Sequence, residues 1–350
     1  MVRVTPSTKT SLCEAALCRG WRPRSGAELC FPLLLNSSCR KPTPHWSESV
    51  ILNTLLSFVS VLTVTLNLLV IIAVSHFRQL HTPTNILLLS LAVSDFLVGL
   101  LLVQVEIFRQ TSCWVFGDLM CSLFVDVSFV ITSASVGVMV LISVDRYVAI
   151  CDPLRYSSRI TERRVTVCVC LCWFLSLLYS NLLFMDDLVK PGRYRLCYGE
   201  CVIFINVITG VFDLVVTFFA PITAIIVLYM RVFVVAVSQA RALRSQVVTA
   251  VTLKSSMTVR AKKSELKAAR TLGVLVVVFV ICFCPYYIVS LVDENLLNAS
   301  FVSFVIYLFL INSCINPLIY ALFYPWFRKS LKLIVTLRIL QPGSCETNIL

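Results

Sequence analysis

Seven long apolar runs, near residues 51–75, 85–108, 119–143, 165–185, 202–230, 271–292 and 301–324, alternate with shorter polar stretches along the chain. Each has roughly the 20 residues that a helix needs to cross about 30 Å of hydrocarbon. The pattern predicts an all-α membrane protein, a seven-helix bundle over residues 49–325. Residues 1–48 are polar, with Pro, Ser and four Cys, and read as a tail outside the bundle. From Trp326 to Ile334 apolar and basic residues alternate at a helical period, which predicts a short amphipathic helix lying on the membrane surface within a final segment 326–350. The basic stretch from Arg231 to Arg270 reads as extensions of spans five and six joined by a polar linker.

Composition agrees with the pattern: 58% hydrophobic and 14% charged residues exclude a water-soluble domain. The net charge of +12 concentrates after spans one, three and five and in the tail. Those loops are therefore placed inside the cell and the N-terminus outside, and the basic residues of the long N-terminal segment do not reverse the assignment. Charge so placed meets anionic lipid and a cytosolic partner rather than nucleic acid. The N-terminus lacks the order of a cleavable signal. Outward-facing Cys121, Cys197 and Cys201 are candidates for pairing. Cys168, Cys170 and Cys172 fall on different faces of one helix and read as small packing residues rather than metal ligands. Sequons at Asn36 and Asn298 lie on the expected outer side, where glycosylation is expected.

Polar residues inside apolar spans carry a cost of about 2.5 to 3.5 kcal/mol when ionisable and so mark function. Asp213 is the isolated carboxylate of GVFDLVVTFFAP (210–221). Asn67, Asp95, Ser135, Asn312, Ser313 and Asn316 offer oxygens for a small cation, or hydrogen-bond one another as interhelical glue. Pro221, Pro285 and Pro317 interrupt spans five, six and seven and predict kinks. Arg146, in Asp145-Arg146-Tyr147, has two candidate partners, Asp145 locally and Glu265 at the matching end of span six.

SVDRYVAICDPLRY (143–156), LAVSD (91–95) and NPLIY (316–320) together resemble the rhodopsin-like G-protein-coupled receptors. More narrowly, NSCINPLIYALFYPWF (312–327), ELCFPLLLNSSCRK before span one and CYGEC before span five resemble the trace amine-associated receptors. The resemblance implies a receptor for volatile or soluble amines, mostly in olfactory neurons, at the plasma membrane, acting through a stimulatory heterotrimeric G protein that raises cAMP. It also implies disulfides Cys121–Cys201 and Cys39–Cys197. By the same resemblance Asp145, Arg146, Tyr147, Tyr229, Glu265 and Tyr320 carry the conformational change and Leu154 presses into the G protein. Sodium at Asp95, Ser135, Asn312 and Asn316 would favour the inactive form, with no other cofactor.

The chain departs from that family at the usual amine anchor. The Asp expected in span three, eighteen residues before the motif Arg, is Ser128, and its usual Tyr partner in span seven is Leu310. Asp126 lies two residues from the anchor position, a turn of about 200°, and is expected to point away from the pocket. Asp213 matches the span-five carboxylate of a subset of fish members. It is the expected ammonium anchor, with Ser128 and Thr217 as polar contacts and Phe283, Tyr286, Tyr287 and Tyr307 as walls. Phe283 also replaces the Trp usual two residues before the span-six Pro. The competing reading of Asp213 is a structural carboxylate held by another side chain. Glu106, Asp187, Asp293 and Glu294 are expected to be solvated loop charges, the alternative being a contact for the second charge of a diamine. A lipid or peptide receptor, or a seven-span transporter or channel, is the alternative at the level of function. No nucleophile and base are arranged for an enzyme.

Overall fold

The computed structural model of the chain describes residues 2–5, 29–34, 38–39, 46–192, 198–249, 256–291 and 299–349. Eleven α-helices follow one another among them: α1 (Trp46–His76), α2 (Pro83–Leu97), α3 (Val103–Thr111), α4 (Gly117–Cys151), α5 (Pro153–Arg159), α6 (Glu162–Val189), α7 (Val207–Leu214), α8 (Ala220–Thr249), α9 (Ser256–Leu291), α10 (Ala299–Phe323) and α11 (Pro325–Val335). Six stretches are long and apolar enough to cross a membrane, and Gly273–Val289 of α9 is a shorter seventh. Each falls on one of the seven apolar runs. Phe58, Phe174, Phe212 and Phe233 project outward, as helices bathed in lipid require.

The fifth apolar run is only partly helical. Ile203–Asn206 forms a strand, β2, paired in parallel with β1 (Val2–Thr5), and the helix begins at Val207. Both segments are rich in β-branched residues, and a short apolar run does not distinguish strand from helix by its period.

Two of the spans are interrupted by a π-turn, Val98–Leu102 between α2 and α3 and Val215–Phe219 between α7 and α8. The second has a local cause. Pro221 has no N–H to give to the carbonyl four residues earlier, at Thr217, so the regular ladder fails and the turn widens. In the first, Gly99 lets α1 approach closely: a Cβ there would stand 2.9 Å from Thr63 Cγ2, and Ser60 Oγ donates to the Gly99 carbonyl at 2.7 Å. Gly137 does the same between α4 and α6, where Cys172 Sγ occupies the space that a Cβ would need. Cys172 is thus a packing residue, while Cys168 and Cys170 are exposed.

At the end of the bundle bearing Asp145-Arg146-Tyr147, the largest apolar cluster joins Phe77, Leu80, Leu91, Met139, Phe279 and Phe327. The chain beyond α11 turns back onto it. Ser344 Oγ and His76 Nε2 are 3.0 Å apart, Gln79 Nε2 donates to the Glu346 carbonyl at 3.3 Å, and the Ile349 N–H donates to Gln79 Oε1 at 3.3 Å. Ile349 is 0% exposed and belongs to that cluster. The nearby Arg78–Glu346 ion pair is open to solvent and contributes little. Burying Ile349 is worth about 1.5 to 3 kcal/mol, so Ile349→Asp should free the tail. Limited proteolysis of the purified protein should then cleave beyond residue 336 at least about tenfold faster; an unchanged rate would show that Ile349 does not hold it.

Candidate functional site

Asp213 is the penultimate residue of α7, two residues before the π-turn. Its side chain is 8% exposed, and Oδ1 accepts a hydrogen bond from the Tyr179 hydroxyl of α6 at 2.8 Å. Thr217 Oγ1 donates at 2.8 Å to the Asp213 carbonyl, one turn along. Among the described residues no Lys, Arg or His forms an ion pair with Asp213. A neutral phenol orients the carboxylate without cancelling its charge.

The next residue of α6 serves the other acid. Ser180 Oγ donates to Asp126 Oδ1 at 2.6 Å, so Asp126 of α4 is buried against α6, where its two-residue offset from Ser128 puts it. Ser128 is half-buried, and its hydroxyl donates back to the Phe124 carbonyl at 2.6 Å.

Aromatic rings from α9 and α10 form one continuous group. Phe279 stacks on Phe283 at 4.1 Å between centroids, Phe283 meets Phe309 at 4.6 Å, Phe309 meets Tyr286 at 4.9 Å, and Tyr286 packs edge-on against Tyr287 at 5.5 Å. Tyr287 stacks at 4.3 Å on Phe218 of the π-turn, which joins this wall to the helix that carries Asp213. Tyr307 stands apart, donating its hydroxyl to Gln110 Oε1.

Toward the opposite end, Arg146 is paired with its neighbour. Arg146 Nε donates to Asp145 Oδ2 at 2.9 Å and Nη2 to Thr84 Oγ1 at 2.6 Å. Thr84 Oγ1 in turn donates to Asp145 Oδ2 at 3.0 Å, and the Tyr156 hydroxyl of α5 to Asp145 Oδ1 at 2.9 Å. Burial, then the Asp145 charge, pushes the Tyr156 phenol up, which keeps it the donor. Glu265 lies on α9, and its side chain is outside the described residues. Tyr147 packs with Ile150, Val232 and Val235. Leu154 is 94% exposed on α5. The hydroxyls of Tyr229, Tyr320 and Tyr324 are buried with no hydrogen-bond partner among the described residues.

Residues 66–320 match the model of the 7 transmembrane receptor (rhodopsin family). The chain is similar to trace amine-associated receptor 13c of Danio rerio, 37% identical over 92% of this chain and 96% of that relative. It is also similar to trace amine-associated receptor 8b of Mus musculus, 41% identical over 92% and 96% of the two chains, and to trace amine-associated receptor 1 of Mus musculus, 35% identical over 87% and 95%. The chain belongs to the trace amine-associated receptors. It is accordingly a multi-pass membrane receptor and not an enzyme.

In this trace amine-associated receptor the polar centre of the bundle is tightly built. Asn316 Nδ2 donates to Asp95 Oδ2 at 2.7 Å, and Asn67 Nδ2 to the carbonyls of Thr63 and Ser313 at 2.9 and 3.0 Å. Ser135 and Asn312 are buried. Asn67 Oδ1, Asp95 Oδ1 and Asn312 Oδ1 are buried oxygens without a donor among the described residues. One carboxylate with amide and hydroxyl oxygens is the donor set of a small hard cation.

Glu106 corrects the expectation of a solvated loop charge. It sits on α3, 8% exposed, and accepts from Arg109 Nε at 3.0 Å, from Arg109 Nη2 at 2.8 Å and from Gln110 Nε2 at 2.7 Å. Sequence spacing carried the signal, since residues three apart on a helix are neighbours. Asp187 is half-buried, and Asp293 and Glu294 lie outside the described residues.

Two disulfides between described residues tie the end remote from Arg146. Cys121 of α4 bonds Cys201, and Cys30 of the N-terminal segment bonds Cys113, a pairing that sequence reasoning missed. Cys39 is disulfide-bonded, while Cys197, with both sequons Asn36 and Asn298, is outside the described residues. The Cys39 N–H donates to the Tyr198 carbonyl and the Trp114 N–H to the Gly199 carbonyl, both at 2.9 Å. Gly199 has φ +108°, and a Cβ there would stand 2.7 Å from Cys30 Cβ, so glycine is required at this crossing.

Proposed function

We propose that the chain is a plasma-membrane chemosensory receptor for amines, with the ligand ammonium held by Asp213, the N-terminus outside the cell and a stimulatory G protein inside. The observation that carries this reading is a buried carboxylate whose described side-chain partner, Tyr179, is neutral. An ammonium offers three donors and a compact positive charge, the complement of such a group in a poorly solvated cavity. The printed names of the relatives, trace amine-associated receptors, support the same class of ligand. Expression in olfactory neurons belongs to this reading and follows the resemblance.

The aromatic group gives the amine a wall on the α9 and α10 side. Phe283, Tyr286 and Tyr287 would contact the ligand body, with Ser128 and Thr217 as secondary polar contacts, while Tyr307 faces Gln110. Pro285 lies within this part of α9, where an unpaired carbonyl eases bending. Ligand that binds the bent form better than the straight one shifts the population toward it. At the inner end that shift would release Arg146 from Asp145 and expose a site for the G protein, with Leu154 as a contact and Tyr147, Tyr229, Glu265 and Tyr320 repacking. Sodium would be held by Asp95, Ser135, Asn312 and Asn316 in the inactive form; the unpaired oxygens at Asp95 and Asn312 support that fit.

Cells expressing the receptor should raise cAMP in response to primary amines and not to their N-acetylated, uncharged analogues. Equal responses to both would refute the amine reading. Asp126→Asn should shift the half-maximal concentration by less than about threefold, because that carboxylate is turned toward Ser180. Tyr179→Phe removes one hydrogen bond to a charged group, worth about 1.5 kcal/mol or more, and should weaken the response about tenfold. A larger effect at Asp126 than at Tyr179 would place the ligand on the wrong carboxylate.

A further inference from the structure

We infer that Arg109 makes this receptor selective for monoamines by occupying the second carboxylate of its binding region. The inference rests on the amine reading above and specifies the class of amine. Asp213 and Glu106 are both buried carboxylates, and a run of contacts links their surroundings: Phe218, just after Asp213, stacks on Tyr287, Tyr287 packs on Tyr286 and Tyr286 on Phe309 of α10, the helix whose Tyr307 bonds Gln110, a donor to Glu106. Two acids at the two ends of one aromatic wall are the arrangement a diamine would need, one ammonium to each.

The second acid is not available to a ligand. Both Glu106 oxygens accept from the Arg109 guanidinium, and Oε1 also accepts from Gln110. The Gln110 amide is itself fixed, because its oxygen receives the Tyr307 hydroxyl from α10. The fork of a guanidinium on a carboxylate is a strong and geometrically exact match, and the pair as a whole is neutral. A second ammonium could reach Glu106 only by displacing Arg109, which would leave a buried guanidinium without its partner, a costly state. Short of that, the ammonium would be left in a poorly solvated region beside a cation. A ligand with one ammonium and an apolar or aromatic body meets neither obstacle: its body lies against the rings of Phe283, Tyr286 and Tyr287, and its far end reaches the uncharged Tyr307–Gln110 contact.

The test is a cAMP concentration response to alkyl monoamines and to alkane-α,ω-diamines of matched chain length, in cells displaying wild type, Arg109→Gln, and the double variant Glu106→Gln with Arg109→Gln. Wild type is expected to prefer the monoamine by at least about tenfold. Arg109→Gln frees the Glu106 carboxylate, and the ratio should move toward the diamines by about tenfold or more. The double variant removes that carboxylate and should lose the gain. This return distinguishes a second anchor from a general loosening of the pocket, which would keep the gain. A wild-type receptor that answers diamines as well as monoamines overturns the inference and leaves the amine reading standing, as does an unchanged ratio in Arg109→Gln at the cell surface. If Arg109→Gln fails to reach the surface, the wild-type ratio decides. A receptor silent to every amine overturns both readings.

Discussion

Asp213→Asn should abolish the amine response while the receptor still reaches the cell surface. Asparagine keeps the shape of the side chain and an oxygen able to accept from Tyr179, so the α6–α7 contact survives. What disappears is the charge. Truncating one partner of a buried charged pair costs about 2 to 5 kcal/mol, which moves the half-maximal concentration by roughly thirtyfold to several thousandfold. Asp213→Glu retains the charge and should recover part of the response, separating charge from shape. Surface display of a tagged receptor, read beside cAMP, excludes misfolding as the cause. An unchanged concentration response in Asp213→Asn would remove the anchor from α7.

Asp145→Asn should raise cAMP in the absence of ligand. Asp145 accepts four hydrogen bonds, two from Arg146 and one each from Thr84 and Tyr156, and the guanidinium it holds is itself buried. Breaking a buried ion pair by neutralising one partner costs about 3 to 5 kcal/mol. That penalty falls on the form in which the pair exists. A bias of about 3 kcal/mol carries a two-state equilibrium from 1:99 to near parity, so basal signalling per surface receptor should rise many-fold. Tyr156→Phe removes only one donor from the same carboxylate and should give a smaller rise. Basal cAMP that stays level or falls in Asp145→Asn would show that this pair does not restrain the receptor.

The bundle was legible in the sequence because crossing a membrane imposes a length and an apolarity that no soluble helix shares. The exception, Ile203–Asn206, is apolar for a strand's reasons and so merged with span five. Within the spans the azimuth of a residue follows from helical geometry: Asp126 turns to Ser180 because it is two residues from Ser128. The partner that meets a residue across a helix interface does not follow from its own helix. Tyr179, Thr84 and Tyr156 therefore entered only with the structure, although Tyr156 closes the very motif that contains Asp145. Cysteine connectivity is likewise not set by sequence, which is why Cys30–Cys113 was missed. Glu106 departs from expectation for another reason: its position near a predicted span end suggests solvent, whereas the i, i+3 spacing to Arg109 gives it a buried partner.

The most direct test of the account is a structure of the receptor with an activating amine bound. The account predicts the ligand nitrogen at about 2.7 to 2.9 Å from an Asp213 oxygen, with Tyr179 still donating to that carboxylate. A nitrogen seated instead beside Ser128 and Leu310, with no contact to α7, would contradict it.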